Sequence, residues 1–338
     1  MQSWQTDLLN ILLRTSIKPL LRRTRSVEPV RAAVNLLDSS LGRVGIPATA
    51  RVETVYGTGI NCRCDWIDNT ADPADRVILY LPGGAYFMRT PNVHSGMIAR
   101  LCAEAEARAF VCYYRLAPEH AFPACLDDSV AAYDWLLAQG YRSEQIIIAG
   151  DSAGGGLTLA TLLQLRDSER PMPACAIMFS PFLDTGEIAP SRVKNARFDA
   201  TLPAAGERTI NPRHLLGSPD VKNPLISPIY GDFHGLPPMY VLVSDSEVLT
   251  DDSLRLARRA QLFNVKVKVD IWRKVPHVWT AMPFLPEARE GLQRAGNFIR
   301  QNVARRRPRV NPAKHKTATR LTASTVLTPT QEARHVSG

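Results

Sequence analysis

The chain contains no run of 18 or more apolar residues, which excludes an apolar transmembrane helix. It is also sparing with cysteine, having six in 338 residues at positions 62, 64, 102, 112, 125 and 175. These are scattered through strand-like and helix-like segments rather than spaced as a disulfide framework. Cys62-x-Cys64 is the only close pair, and no second pair follows to complete a zinc site. No charged segment followed by a short apolar core opens the sequence, so the expectation is a reducing, cytoplasmic setting with no metal and no cofactor. Internal repeats are missing as well. Most of the chain even lacks an excess of charge: the formal net charge is +9, but residues 305–338 hold eight Lys/Arg against Glu332 alone. The body is therefore close to neutral, which argues against nucleic acid as a partner. Residues 304–338 are dominated by Thr, Ser, Pro, Ala and Arg and are expected to form a basic, disordered tail.

What the chain does have is 45% apolar residues, enough to bury one large core. From about residue 50, strand-like runs (50–56, 60–66, 77–81, 109–114, 145–149, 174–179, 239–244 and 265–272) come to alternate with helix-like ones (95–108, 126–138, 153–166, 250–263 and 284–303). Such alternation predicts an α/β fold: a mostly parallel central sheet of about eight strands with helices on both faces. Tyr56-Gly57-Thr58-Gly59 suits a tight antiparallel hairpin at the edge of that sheet. The alternation breaks near 183–236, a Pro-rich stretch too long for an idle connection. Together with the helical segment 1–45 it is expected to form a lid on the main domain, 46–303. Within the first segment Trp4, Leu8, Leu9, Ile11, Leu12 and Leu13 make an apolar helical face, followed by Arg14, Lys18, Arg22, Arg23 and Arg25. A helix covering the mouth of the main domain is the expectation. The sharper alternative is peripheral contact with an anionic membrane surface through residues 1–25, with Pro19 interrupting any single long helix.

The most informative stretch is Gly150-Asp151-Ser152-Ala153-Gly154. An apolar strand-like run precedes it and a helix start follows. A serine in such a turn is pushed out at the carboxyl edge of a sheet, and the flanking glycines allow the close strand-to-helix packing the turn demands. A serine hydroxyl needs a base to become a nucleophile, and that base needs an acid to hold its tautomer. Among seven histidines, His277 follows the last strand and precedes the last helix, which places it on the same sheet edge as Ser152. The acid is expected after strand 239–244, where Asp245, Glu247, Asp251 and Asp252 crowd together. Pro82-Gly83-Gly84-Ala85-Tyr86 follows strand 77–81, and its small residues leave backbone N–H groups free to meet a developing negative charge, with that of Ala153 as a third donor.

Seven blocks, in order, are similar to the hormone-sensitive-lipase-like branch (bacterial family IV) of the α/β-hydrolases, over residues of about 60–300. They are Tyr80-Leu-Pro-Gly-Gly-Ala-Tyr86, Tyr114-Arg-Leu-Ala-Pro-Glu-His-Ala-Phe-Pro123, Gly150-Asp-Ser-Ala-Gly-Gly155, Asn223-Pro-Leu-Ile-Ser-Pro228, Leu236-Pro-Pro238, Glu247-Val-Leu-Thr-Asp-Asp252 and His277-Val-Trp279. The resemblance implies an α/β-hydrolase fold and a Ser152–His277–Glu247 triad, with Asp251 as the fallback acid. It also implies oxyanion donors at Gly84, Ala85 and Ala153, with Gly83 shaping the loop. Pro82 departs from the family, which has histidine there, and Ala85 stands where the last glycine of the motif would be. The implied activity is a serine carboxylesterase acting on small-molecule, short- to medium-chain acyl esters through an acyl-enzyme. The alternatives are an amide or formamide hydrolase on the same triad, and a non-catalytic ligand-binding module on the same fold. Tyr86, Phe87, Met88, Phe198, Leu215 and Trp279 are candidates to line an apolar substrate pocket. The oligomeric state stays open.

Overall fold

A computed structural model describes residues 2–303 apart from 72–74, 187, 205–206, 208–209 and 218–219. The expected tail, 304–338, lies outside the described residues. In chain order the elements are α1 (Trp4–Thr15), α2 (Ile17–Arg23), α3 (Val27–Leu41), β1 (Arg51–Val55), β2 (Arg63–Asp68), β3 (Val77–Leu81), α4 (Pro91–Ala105), β4 (Arg108–Tyr113), α5 (Ala124–Ala138), β5 (Ile146–Asp151), α6 (Ser152–Asp167), β6 (Cys175–Phe179), α7 (Ser191–Lys194), α8 (Pro212–Leu215), β7 (Met239–Ser244), α9 (Thr250–Leu262), β8 (Val267–Trp272) and α10 (Pro286–Asn302).

All eight strands join one sheet in the order β1-β2-β4-β3-β5-β6-β7-β8. β1 pairs antiparallel with β2, and β2 antiparallel with β4, while every pair from β4 to β8 is parallel. The hairpin turn has Gly57 at φ 70° and Gly59 at φ 72°, the left-handed backbone that glycine adopts without steric cost. The exchange of β3 and β4 in the order puts β3 and β5 side by side, and with them the two loops that leave their carboxyl ends.

Side-chain alternation along the strands feeds two cores, one on each face of the sheet. Leu79, Leu81, Ile148 and Met178 pack with Leu157 of α6 and Leu256 of α9. Ile78, Tyr80, Ile147 and Ile177 pack on the other face with Leu101 of α4 and Leu292 of α10. This two-sided burial explains why the central strands read as continuous apolar runs. β3, β5, β6 and β7 are buried along their whole length. Because these strands are parallel, the segments after β5, β6, β7 and β8 emerge along one edge of the sheet, and the candidate site is built there.

The N-terminal segment forms three helices. α1 ends at Thr15 and Pro19 falls in the first turn of α2, where its missing N–H has no intrahelical partner to lose. The break expected around Pro19 is thus placed a few residues earlier, between Thr15 and Ile17. Among its described residues the stretch 183–236 contains only short elements: the helices α7 and α8 and 3₁₀ turns, one of them at Pro228–Tyr230.

Candidate active site

β5 runs directly into α6, and Ser152, the first residue of the helix, has φ 51°. Such a left-handed backbone is strained for a non-glycine residue and recurs where function holds a side chain in an exposed turn. The flanking glycines permit it: a Cβ on Gly154 would collide with the Leu81 carbonyl, and one on Gly150 with the carbonyl of Gly154.

The side chains expected from three distant segments come together around this turn. The Ser152 Oγ lies 2.9 Å from His277 Nε2, and His277 Nδ1 lies 2.6 Å from Glu247 Oε2. Glu247 is fully buried, and its other oxygen accepts from Ser180 Oγ at 2.7 Å and from the Ser244 N–H at 2.9 Å. The carboxylate is therefore fixed by three partners and presents one oxygen to the imidazole. The neighbouring acids face elsewhere. Asp251 accepts from the Ser191 N–H, Asp252 pairs with Arg192, and Asp245 accepts from the Lys274 N–H.

Burial pushes the Glu247 carboxyl up, against the hydrogen bond and charge of His277. For His277, burial acts to lower the pKa, but the hydrogen bond and charge of Glu247, with Asp199 adding to them, carry it above its ordinary value of 6.5. Asp199 is held in place by donating N–H groups of Thr201, Leu202 and Val248.

Across from Ser152, the loop after β3 has Gly84 at φ 131°, Ala85 at φ 51° and Tyr86 at φ 65°. Within this turn the Gly84 carbonyl accepts from the Phe87 and Met88 N–H groups. Among the described residues, the N–H groups of Gly84, Ala85 and Ala153 have no backbone acceptor in the surrounding turns. The Gly83 N–H donates to Asp151 Oδ1 at 2.9 Å. That carboxylate also accepts from Tyr80 Oη at 2.9 Å and lies 3.0 Å from His94 Nε2. His94 is buried, with Nδ1 against Thr90. Asp151 thus ties the elbow to the Gly-Gly loop, and Tyr114 Oη pins the Pro82 carbonyl at 2.7 Å. The loop is oriented without a side-chain donor at position 82. Installing histidine there (Pro82→His) is expected to change kcat by less than about tenfold, since one lost oxyanion donor is typically worth about 10² to 10³. Steady-state ester hydrolysis by the variant checks this, and a gain of about a hundredfold would mean the natural loop is misaligned.

The six pocket candidates divide. Phe87, Met88 and Leu215 gather with Leu21, Val27 and Ile210 in a small apolar cluster that includes Ala85 of the loop after β3. The other three lie apart from that cluster. Trp279 is fully buried in the core under α10, its ring 5.5 Å from that of Trp272, because the turn after His277 directs it inward. Tyr86 belongs to the core on the α6 face, against Tyr114. Phe198 is 47% exposed and packs into neither core. What the sequence reading missed are Ser180, Asp199 and the His94–Asp151 pair. The position of Ser180 straight after β6, next to the elbow strand, was the available signal; Asp199 sits in the long irregular stretch and had none.

A thiol cluster also forms that spacing within β2 cannot show. The β2–β4 register sets Cys64 opposite Cys112, and with Cys62 their sulfurs all lie within 4.8 Å of one another. Cys64 and Cys112 are fully buried in the apolar core, where thiols serve as small hydrophobes. All six cysteines are unpaired.

Comparison with known proteins identifies the family. A family profile described as the alpha/beta hydrolase fold matches residues 78–281. An acetyl-hydrolase of Streptomyces hygroscopicus is 37% identical over 279 residues, covering 82% of this chain and 91% of that protein. The carboxylesterase/phospholipase LipF of Mycobacterium tuberculosis is 33% identical, covering 96% of this chain and 84% of its own. Among solved structures, EstE5 soaked with p-nitrophenyl butyrate superposes with a TM-score of 0.82 at 36% identity, covering 89% of this chain and 99% of EstE5. An esterase from the bacterial hormone-sensitive lipase family gives a TM-score of 0.81 at 32% identity, covering 90% and 99%.

Proposed function

The chain belongs to the α/β-hydrolase family, in its hormone-sensitive-lipase-like branch, and is a carboxylic ester hydrolase; from that premise we propose that it cleaves short- to medium-chain acyl esters through a Ser152–His277–Glu247 triad. The observation that carries this reading is the continuous relay from Ser152 Oγ through His277 to Glu247, at 2.9 Å and 2.6 Å, facing a loop with unused N–H donors.

In the reaction His277 Nε2 takes the proton of Ser152 as Oγ attacks the acyl carbon. The oxyanion that forms is met by the N–H groups of Gly84, Ala85 and Ala153. His277 then returns the proton to the leaving alcohol, and a water activated by the same nitrogen releases the acid. Glu247 holds Nδ1 protonated, so that Nε2 is the lone-pair nitrogen, and stabilises the imidazolium. Asp199 adds negative potential behind the pair. The small apolar cluster beside Ala85 supports a preference for short acyl groups, in keeping with relatives named as an acetyl-hydrolase and as an esterase soaked with a butyrate ester. The unpaired state of all six thiols supports a reducing, cytoplasmic setting. Among the described residues no helix is long and apolar enough to cross a membrane.

A series of nitrophenyl esters of increasing acyl length, assayed with the parent and with Ser152→Ala, tests the proposal. Activity should peak at short to medium chains and disappear in the variant; a maximum at long chains would remove the substrate assignment. The pH profile offers a second check. The base form of His277 is required, and its pKa is raised above 6.5. The kcat/KM for a non-ionising ester should therefore fall as pH drops through an apparent pKa higher than that of a free imidazole, with a slope of about one. An acidic limb lying below 6.5 would contradict the Glu247–His277 coupling.

A further inference from the structure

α1 is docked the opposite way round from an ordinary amphipathic helix. Its inward side is largely polar: Ser3 and Thr6 bond to the Glu287 carboxylate, and Asn10 Nδ2 donates to the Lys274 carbonyl at 2.8 Å. Only Leu9 and Leu13 join the core from this helix. Its outward side is the apolar stripe Trp4, Leu8, Ile11 and Leu12, exposed by 70%, 59%, 61% and 58%. The spacing of these four puts them on one face of the helix. Turning the stripe inward would break the bonds to Glu287 and Lys274, so its exposure follows from how the helix is anchored. The helix thus offers its apolar face to solvent.

The surface continues past α1. Arg14 donates to the Phe198 carbonyl at 2.7 Å, and Lys18 Nζ to those of Ala196 and Asp199. This joins α1 and α2 to the segment 193–198, where Val193 and Phe198 are exposed beside exposed Lys194 and Arg197. Residues 1–25 carry five cations and one acid, Asp7. Arg23 and Arg25 are exposed and form no ion pair among the described residues.

We propose that the outward face of α1, with the adjoining 193–198 segment, docks this protein on an anionic lipid surface. An exposed apolar helical stripe followed in the same N-terminal segment by five cations has the two ingredients that interfacial attachment needs, and Trp4 suits the headgroup level. A second copy is the poorer occupant. A two-fold contact would set this patch against itself, bringing the cations of both copies together, and Glu207 pairs with Arg22 alone among residues 1–25. Anionic headgroups complement the same charges. The location serves the chemistry, since Lys274, on which α1 rests, is three residues before His277, and Asn195 bonds to the Glu247 carbonyl. Docking here holds the catalytic loops close to the interface from which an ester-bearing molecule would be drawn.

The test is cosedimentation of the full chain with vesicles of phosphatidylcholine alone or mixed with phosphatidylglycerol, for the parent and for the neutral double variant Leu8→Gln/Ile11→Gln. The parent is expected to bind the anionic vesicles, less so at high salt. The variant should lose about 30-fold in partitioning from two withdrawn aliphatic side chains, with unchanged thermal unfolding and unchanged hydrolysis of a water-soluble nitrophenyl ester. The eight cations of residues 305–338 are present in both proteins. Equal binding by parent and variant would therefore assign attachment to the tail and overturn the proposal. Failure of the parent to bind would also overturn it, as would self-association of the parent that the variant abolishes without any vesicle binding.

Discussion

Replacing Ser152 with alanine is expected to lower ester hydrolysis by about four or more powers of ten while leaving thermal unfolding nearly unchanged. Alanine occupies the same left-handed turn with no larger a side chain, so the packing of Gly150 and Gly154 against Leu81 is untouched. Nothing replaces the oxygen that His277 Nε2 contacts at 2.9 Å. What survives in the variant are the unused N–H donors of the Gly84–Ala85 loop and of Ala153, which can still polarise a bound ester toward water. That residue of catalysis is why the loss is large but finite. His277→Ala should be about as severe, because nucleophile and base act as one unit and removing either disables both. Nitrophenyl ester turnover, with circular dichroism melts of each variant, checks the pair; activity within tenfold of the parent would remove Ser152 from the mechanism.

The parts of this site that could be read in the sequence are those set by local chemistry. The elbow is legible because an apolar strand, a serine between glycines and a helix start follow one another within a few residues, and the same holds for the small-residue loop after β3. His277 could be singled out because the parallel sheet sends the ends of its strands to one edge. The acid was a different matter. Four carboxylates lie within eight residues, and which of them meets His277 depends on contacts to Ser180 and Ser244 that no spacing rule shows; only the family resemblance favoured Glu247. Asp199 and the His94–Asp151 bond join segments some fifty or more residues apart in the chain, so they appear only once the sheet is assembled.

The N-terminal helix shows the same division. Its apolar spacing is plain in the sequence, but the direction in which the stripe points is decided by Glu287 and the Lys274 carbonyl, far along the chain. A periodic pattern predicts that an apolar face exists; it does not say that the face is buried. Likewise, Cys62-x-Cys64 has no second pair in sequence, yet the β2–β4 register supplies Cys112 from the neighbouring strand.

The acid assignment yields the second large effect. Glu247→Gln keeps the volume of the side chain and an oxygen able to accept from Ser180 and Ser244. With that oxygen so engaged, the amide presents N–H rather than a lone pair to His277 Nδ1. The imidazole must then accept at Nδ1 and carry its proton on Nε2, the nitrogen that should receive the proton of Ser152. The negative charge that would stabilise the imidazolium is lost as well. A decrease in kcat of about 10³ to 10⁴ is expected, together with a downward shift of the acidic limb of the pH profile, because the main interaction that raises the His277 pKa is gone. Asp251→Asn should cost less than about tenfold: Asp251 accepts from the Ser191 N–H at 2.7 Å, a bond the asparagine oxygen can keep. Measuring kcat against pH for both variants separates the roles. If Asp251→Asn were the more damaging of the two, the acid of this site would be Asp251, and the 2.6 Å contact between Glu247 and His277 would be a packing feature of the loop.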